Sequence, residues 1–232
     1  MASTGSFLFD PNLSVICDEA VERAGMNLQE ITGTHIISIR RSCGFLLSSW
    51  SNRGHRQWTF EQIEHTVTPG EVSFDLPVGT IEVQSAVVRR NGVDTEIYPI
   101  SREDYLILHD KNLIGRPDRY FIDRRRDTDI GVNQVQVFFW LAGENTTDII
   151  IMNVYKQVQD VGNAQNTLDI PFRFQEAFVA ELAAKLAVKY NAEKWEALQM
   201  LADNEWTLAH DEDRDRAPFV MSANYSRLHG RP

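Results

Sequence analysis

Apolar residues recur at helical spacing towards both ends of the chain and alternate with polar ones between them. From Asp10 to Gly25, Leu13, Ile16, Ala20 and Ala24 share one face, with Cys17 and Val21 beside them. Asp10 is placed to cap this helix, Pro11 suits its first position, and Gly25 can end it. A second helix is expected over about 34–50. Its stripe is Ile36, Ile39, Cys43, Leu46, Leu47 and Trp50, with Arg40 and Arg41 off it, and Asn52, Arg53 and Gly54 break the pattern. From about Trp58 the period becomes two. Val72, Phe74 and Leu76 alternate with Ser73 and Asp75, and 81–88 extends as a longer strand. Asn91-Gly92 is a hairpin turn that returns the chain through 93–98. Ser101 opens a short helix to about Asp110, with Asp104 at its third position. Strands follow at 120–123, 135–140 and 149–156. Near Asp160 the helical period returns. Asp169 is expected to cap a helix reaching Tyr190, with Phe174, Phe178, Leu182, Leu186 and Tyr190 four apart. Ala177, Ala180, Ala183, Ala184 and Ala187 keep its flanks small, so neighbours can approach closely. A last helix spans about 192–210, with Trp195, Leu198, Leu201, Ala202, Trp206 and Ala209 as its buried candidates.

This order predicts an α+β fold. Neither helical pair can bury its stripe alone, so the expectation is a four-helix bundle assembled from both chain ends. An antiparallel β-sandwich-like module would be inserted between the second and third helices. The expected parts are 1–57 and 161–210 for the bundle, 58–160 for the β-rich module with its short helix, and 211–232 for an extended C-terminal tail.

The chain has 232 residues, 43% hydrophobic and 24% charged, enough for one large domain or two small ones with a real core. No apolar run approaches the ~18 residues of a membrane span, and no direct membrane binding is expected. The N-terminus has neither a basic region nor a long apolar region, so it does not read as a secretory signal. Cys17 and Cys43 read as reduced structural thiols of a protein made in cytoplasm. Thirty-three acids against 23 bases give a net charge of −10, the reverse of a general duplex-DNA binder.

A search for chemistry finds no phosphate loop, dinucleotide turn or nucleophile elbow. No catalytic residue, cofactor or metal site is expected. No two of the six histidines stand at i+3 or i+4. Glu61, Glu64 and His65 cluster in sequence but read as a solvated segment entering the first strand. Asp211, Asp213 and Asp215 have calcium-loop spacing, yet Arg216 stands where the loop needs glycine and Ser222 where it needs glutamate. Arg116, Arg119, Arg124, Arg125 and Arg126 form the one concentrated basic segment. Asp118, Asp123, Asp127 and Asp129 interleave with them, so a salt-bridged loop, within or between subunits, competes with a phosphate grip. Arg116, Arg124, Arg125 and Arg126 are therefore interface candidates. So are Trp195 and Trp206, on the less cleanly amphipathic last helix, and Tyr225, Arg227, His229 and Arg231 in the tail. An alternative reading is a β-sandwich module for carbohydrate or host surface on a tail component, using exposed aromatics such as Trp140 or Phe138.

Four stretches carry a family resemblance. They are Thr66-Val67-Thr68-Pro69-Gly70 followed by Phe74-Asp75-Leu76-Pro77, and Val87-Val88-Arg89-Arg90-Asn91-Gly92. The third is Ile100-Ser101-Arg102-Glu103-Asp104-Tyr105 with Gly115-Arg116-Pro117 and Tyr120-Phe121-Ile122-Asp123. The fourth is Asp169-Ile170-Pro171 ahead of the alanine-rich helix. Together, over about residues 10–210, they resemble the head-to-tail adaptor proteins of short-tailed bacteriophages, also called tail tubular protein A or head-completion protein. At 138–143 this chain departs from relatives that carry a proline-containing strand end. The resemblance implies a non-enzymatic virion structural protein at the head–tail junction, assembled in the host cytoplasm. It implies a homo-oligomeric ring, a dodecamer, docked under the portal protein through the C-terminal tail, with tail nozzle and fibre or spike proteins attached to it. Duplex DNA would pass without sequence-specific binding. Around such a ring the net charge is on the order of −120, a field that guides a duplex without gripping it.

Overall fold

The computed structural model describes residues 9–53, 57–126 and 133–213. Among them run five α-helices and seven strands. α1 (Leu13–Arg23) is capped by Asn12, whose Oδ1 accepts from the Val15 amide at 3.1 Å. Asp10 does not cap it. The helix start is fixed from outside, because the Leu13 and Ser14 amides donate to the Asn166 and Ala164 carbonyls, each at 2.9 Å. α2 (Gly33–Ser51) opens with the Thr32 amide donating to His35 Nδ1 at 3.2 Å. α4 (Phe172–Tyr190) and α5 (Ala192–Glu212) are joined at Asn191, and the short α3 (Arg102–Ile107) lies between strands. Pro171, not Asp169, stands at the start of α4. The Asp169 carboxylate instead accepts from the Gln159 amide at 3.2 Å.

α4 is the hub of the helices. Phe174, Phe178, Leu182 and Leu186 are fully buried, and so are Ala180, Ala183 and Ala187 on its flanks. α1, α2 and α5 each pack on it. The four-helix bundle expected from the apolar stripes is not the architecture formed. A bundle helix buries a continuous stripe into a shared seam. α5 fully buries only Leu198, Ala202 and Ala209 of its 21 residues. Leu201, Trp195, Ile36 and Tyr190, all expected inside, are exposed.

The strands form one sheet, so the sandwich expectation also fails. β1 (Phe60–Thr66), β2 (Ser73–Asp75), β3 (Thr80–Arg90), β4 (Val93–Pro99), β5 (Arg119–Arg126), β6 (Asn133–Trp140) and β7 (Asp148–Lys156) lie in the order β1-β7-β3-β4-β5-β6-β2. The sheet is mixed rather than antiparallel. The 100–118 segment crosses back before β5, which therefore runs parallel to β4, with Tyr98 opposite Arg119 and Pro99 opposite Tyr120. The sheet curls into a half-barrel. His65 on β1 stacks on Phe74 on β2 with ring centroids 3.9 Å apart, although these strands end the order on opposite sides. Inside the curl, Val88, Val137, Phe139, Ile150, Met152 and Val154 are fully buried. A single twisted sheet that curls this far covers much of its own core without a second sheet.

Candidate interaction surfaces

Of the arginine segment, Arg119–Arg126 form β5 and Arg116 lies in the irregular stretch before it, and its described side chains are engaged within the chain. Arg116 is half-buried and donates to the Val88 carbonyl at 3.1 Å. The Arg119 guanidinium lies over the Trp140 ring, 5.1 Å from its centroid, and 3.7 Å from Asp118. Burial pushes the Asp118 carboxyl above its ordinary range, against the pull of Arg119. Arg124 reaches Glu82 of β3 at 3.2 Å, and Asp123 accepts from Arg102 at 2.6 Å. Arg125 and Arg126 pair in register with Gln134 and Asn133, and their side chains lie outside the described residues. Tyr225, Arg227, His229 and Arg231 lie outside them too, as do Asp127, Asp129, Asp215, Arg216 and Ser222.

The two candidate tryptophans have different fates. Trp206 packs inwards, its ring 4.8 Å from Trp50 and under the Arg53 guanidinium at 4.5 Å. Glu181, almost wholly buried, ties this group together. It accepts from Trp50 Nε1 at 3.1 Å and from Arg53 at 2.8 Å. Trp195 is 45% exposed. Trp140 and Phe138 are also partnered: Trp140 Nε1 donates to the Asp110 carbonyl at 2.8 Å, and Phe138 stacks on Phe121 beneath Tyr105.

The surfaces that sequence reasoning missed are apolar. On α2, Ile37 and Phe45 stand 66% and 65% exposed, opposite the buried stripe. On α5, Met200 is 70% exposed, with Leu201 next to it and Leu208, also exposed, about two turns further on. Beyond the sheet, Leu106 and Ile107 at the end of α3 and Leu113 and Ile114 after it make an apolar tip. The available signal was hydrophobic residues off the 3.6-residue stripe, as in the Ile36-Ile37 pair. Single exposed apolar residues are ordinary, but aligned ones mark contact surfaces.

The remaining sequence clusters resolve into structural roles. His65 Nε2 lies 2.8 Å from Glu71 Oε1, and the other oxygen of Glu71 accepts from the Thr68 amide at 2.8 Å. Asp213 is buried and paired with Arg173, which ties the end of α5 to the start of α4. Cys17 and Cys43 bring α1 and α2 together with sulfurs 4.0 Å apart. No three His, Cys, Asp or Glu side chains among the described residues converge as a metal site, and no helix among them is long and apolar enough to cross a membrane. Compared with protein-family models and with curated proteins, the chain matches none.

Proposed function

We propose that this protein is a virion structural component, a head-to-tail adaptor that assembles as a homo-oligomeric ring under the portal protein. In this reading it extends and seals the DNA channel and gives the tail nozzle and fibre or spike proteins their platform. The observation that carries the reading is the set of exposed apolar side chains at separate places, on the outward side of α2, on the outward side of α5, and at and after the end of α3. A part that leaves Ile, Phe, Met and Leu side chains exposed at these places is completed by neighbours there. Copies of one chain can cover the two helix faces, and a tail protein the α3 end. The sequence resemblance supplies the identity of those neighbours. The acidic balance of −10 suits a channel component that guides a duplex without holding it. The carbohydrate-module alternative draws less support, because Trp140 and Phe138 are taken up by Asp110, Arg119, Phe121 and Tyr105.

The test is to add the purified chain to filled, tail-less capsids that carry a portal. The expected result is a ring at the portal vertex visible by electron microscopy, with genome leakage arrested. A chain truncated after Arg216 should keep its fold and bind those capsids more weakly. No binding to portal-bearing capsids, together with complete, leak-proof particles made without this protein, overturns the reading.

A further inference from the structure

We infer that the outward face of α2 is the seat for the outward face of α5 from a second copy of this chain, so that copies join head to tail. The inference deepens the adaptor reading and rests on it for the idea that copies assemble.

Gly44 is the first observation. It sits inside α2, where glycine weakens a helix relative to alanine. Its backbone is ordinary rather than left-handed, and a Cβ there would meet nothing within 4 Å. The fold of this chain therefore makes no demand for glycine at position 44. A close-approaching element from another molecule would make one. Gly44 also lines an open groove, where Ile37, Arg40 and Arg41 of α2 face the 160–162 turn.

Charge identifies the occupant. α2 contains no Asp or Glu, Arg41 stands exposed on its outer side, and Arg40, exposed beside it, donates to the Gly162 carbonyl across the groove, with Asp160 the one acid bordering it. α5 exposes Glu193, Glu196, Asp203, Asp211 and Glu212 against a single Lys194. Both faces also carry large apolar side chains, Ile37 and Phe45 on one, Met200 and Leu208 on the other. Their lengths match, at 19 and 21 residues. Within one chain the two helices already meet through Trp50 and Trp206, on their inner sides. The outer faces remain for another copy. Like-on-like pairing would bring arginines to arginines or acids to acids. Pairing α2 with α5 brings opposite charges together and leaves every copy with one free face of each kind, which closes into a ring or extends as a filament.

Sedimentation velocity from micromolar to millimolar concentration tests this with two charge-reversed variants. One carries Arg41→Glu and Phe45→Glu, the other Glu196→Lys and Met200→Lys, and circular dichroism checks that each keeps its helices. The unaltered chain should associate with rising concentration. Each variant alone should stay monomeric, and an equimolar mixture should associate again, because each then meets the opposite charge on both sides. A third variant, Gly44→Leu, should melt no lower than the unaltered chain yet associate about tenfold more weakly or worse. An unaltered chain that stays monomeric, association insensitive to both reversals, or a mixture that fails to restore it overturns the α2–α5 contact. Capsid binding separates the two ideas. Association with this charge signature but no capsid binding removes the adaptor reading alone. Capsid binding with reversal-insensitive association removes this contact alone.

Discussion

Cys17 and Cys43 are unequal thiols. With the sulfurs 4.0 Å apart, the remaining S–H can donate to whichever thiolate forms first. Cys17 is half-buried and Cys43 is buried. The hydrogen bond from Cys43 holds the Cys17 thiol below its ordinary value, against its own burial, with a smaller downward pull from Arg40. The same bond, then burial, drives the Cys43 thiol upwards. Thiolate is the reactive form, so Cys17 should be the thiol that alkylates. Peptide mapping after limited iodoacetamide treatment should find Cys17 labelled first, with a rate inflection below that of an ordinary free thiol. In Cys43→Ala the hydrogen bond is gone, so the inflection should rise and Cys17 should react more slowly near neutral pH. Earlier labelling of Cys43 would contradict the assignment.

Between neighbouring elements, one crossing beside the sheet is tightly packed. The 66–71 turn and the 142–144 segment pass so closely that a Cβ on Gly143 would strike the Thr68 carbonyl and the Val67 side chain. The Gly70 amide donates to the Gly143 carbonyl at 2.8 Å. Gly143→Ala should therefore destabilise by about 1–3 kcal/mol, read by urea denaturation. Unchanged stability would mean that the crossing relaxes freely. The elements themselves were largely legible in the sequence, for physical reasons. α4 announces itself because four large residues four apart face the core while alanines line its flanks. β7 is a near-continuous apolar run because both of its faces are covered, with Ile151 and Tyr155 buried opposite Ile150, Met152 and Val154. β1 went unread because Phe60-Glu61-Gln62-Ile63-Glu64-His65-Thr66 is an edge strand with a half-buried, polar pattern. The cap of α1 was misplaced by two residues because Asn166 and Ala164, far along the chain, fix where that helix begins. Sheet curl and the parallel β4–β5 pair are tertiary facts without a local signature. On the surfaces, arginines and tryptophans drew notice by residue type, while Ile37, Gly44 and Met200 carry the contact through position on a helix.

The molecule as a whole has two hydrophobic cores with no residue in common. One joins Trp50, Phe174, Phe178 and their neighbours on the helices, and the other fills the curled sheet around Val137, Phe139 and Met152. Each contains a buried carboxylate that anchors it. Glu181 holds Trp50 and Arg53, and Asp148, fully buried, takes two bonds from Arg90 at 2.6 Å. Removing either carboxylate leaves donors poorly satisfied, at about 2–3 kcal/mol after allowing for the partial exposure of both arginines. Separate cores need not unfold together. Calorimetry should resolve two transitions, one lowered by Glu181→Ala and the other by Asp148→Ala. A single transition lowered by both substitutions would show that the cores melt as one. The same experiment bears on assembly. If copies join through α2 and α5, association stabilises the helical core by mass action and leaves the sheet core alone. The transition that Glu181→Ala identifies should then rise with protein concentration, while the Asp148→Ala transition stays fixed. In the Arg41→Glu, Phe45→Glu variant both should be independent of concentration, since the face that couples helix stability to neighbouring copies is lost.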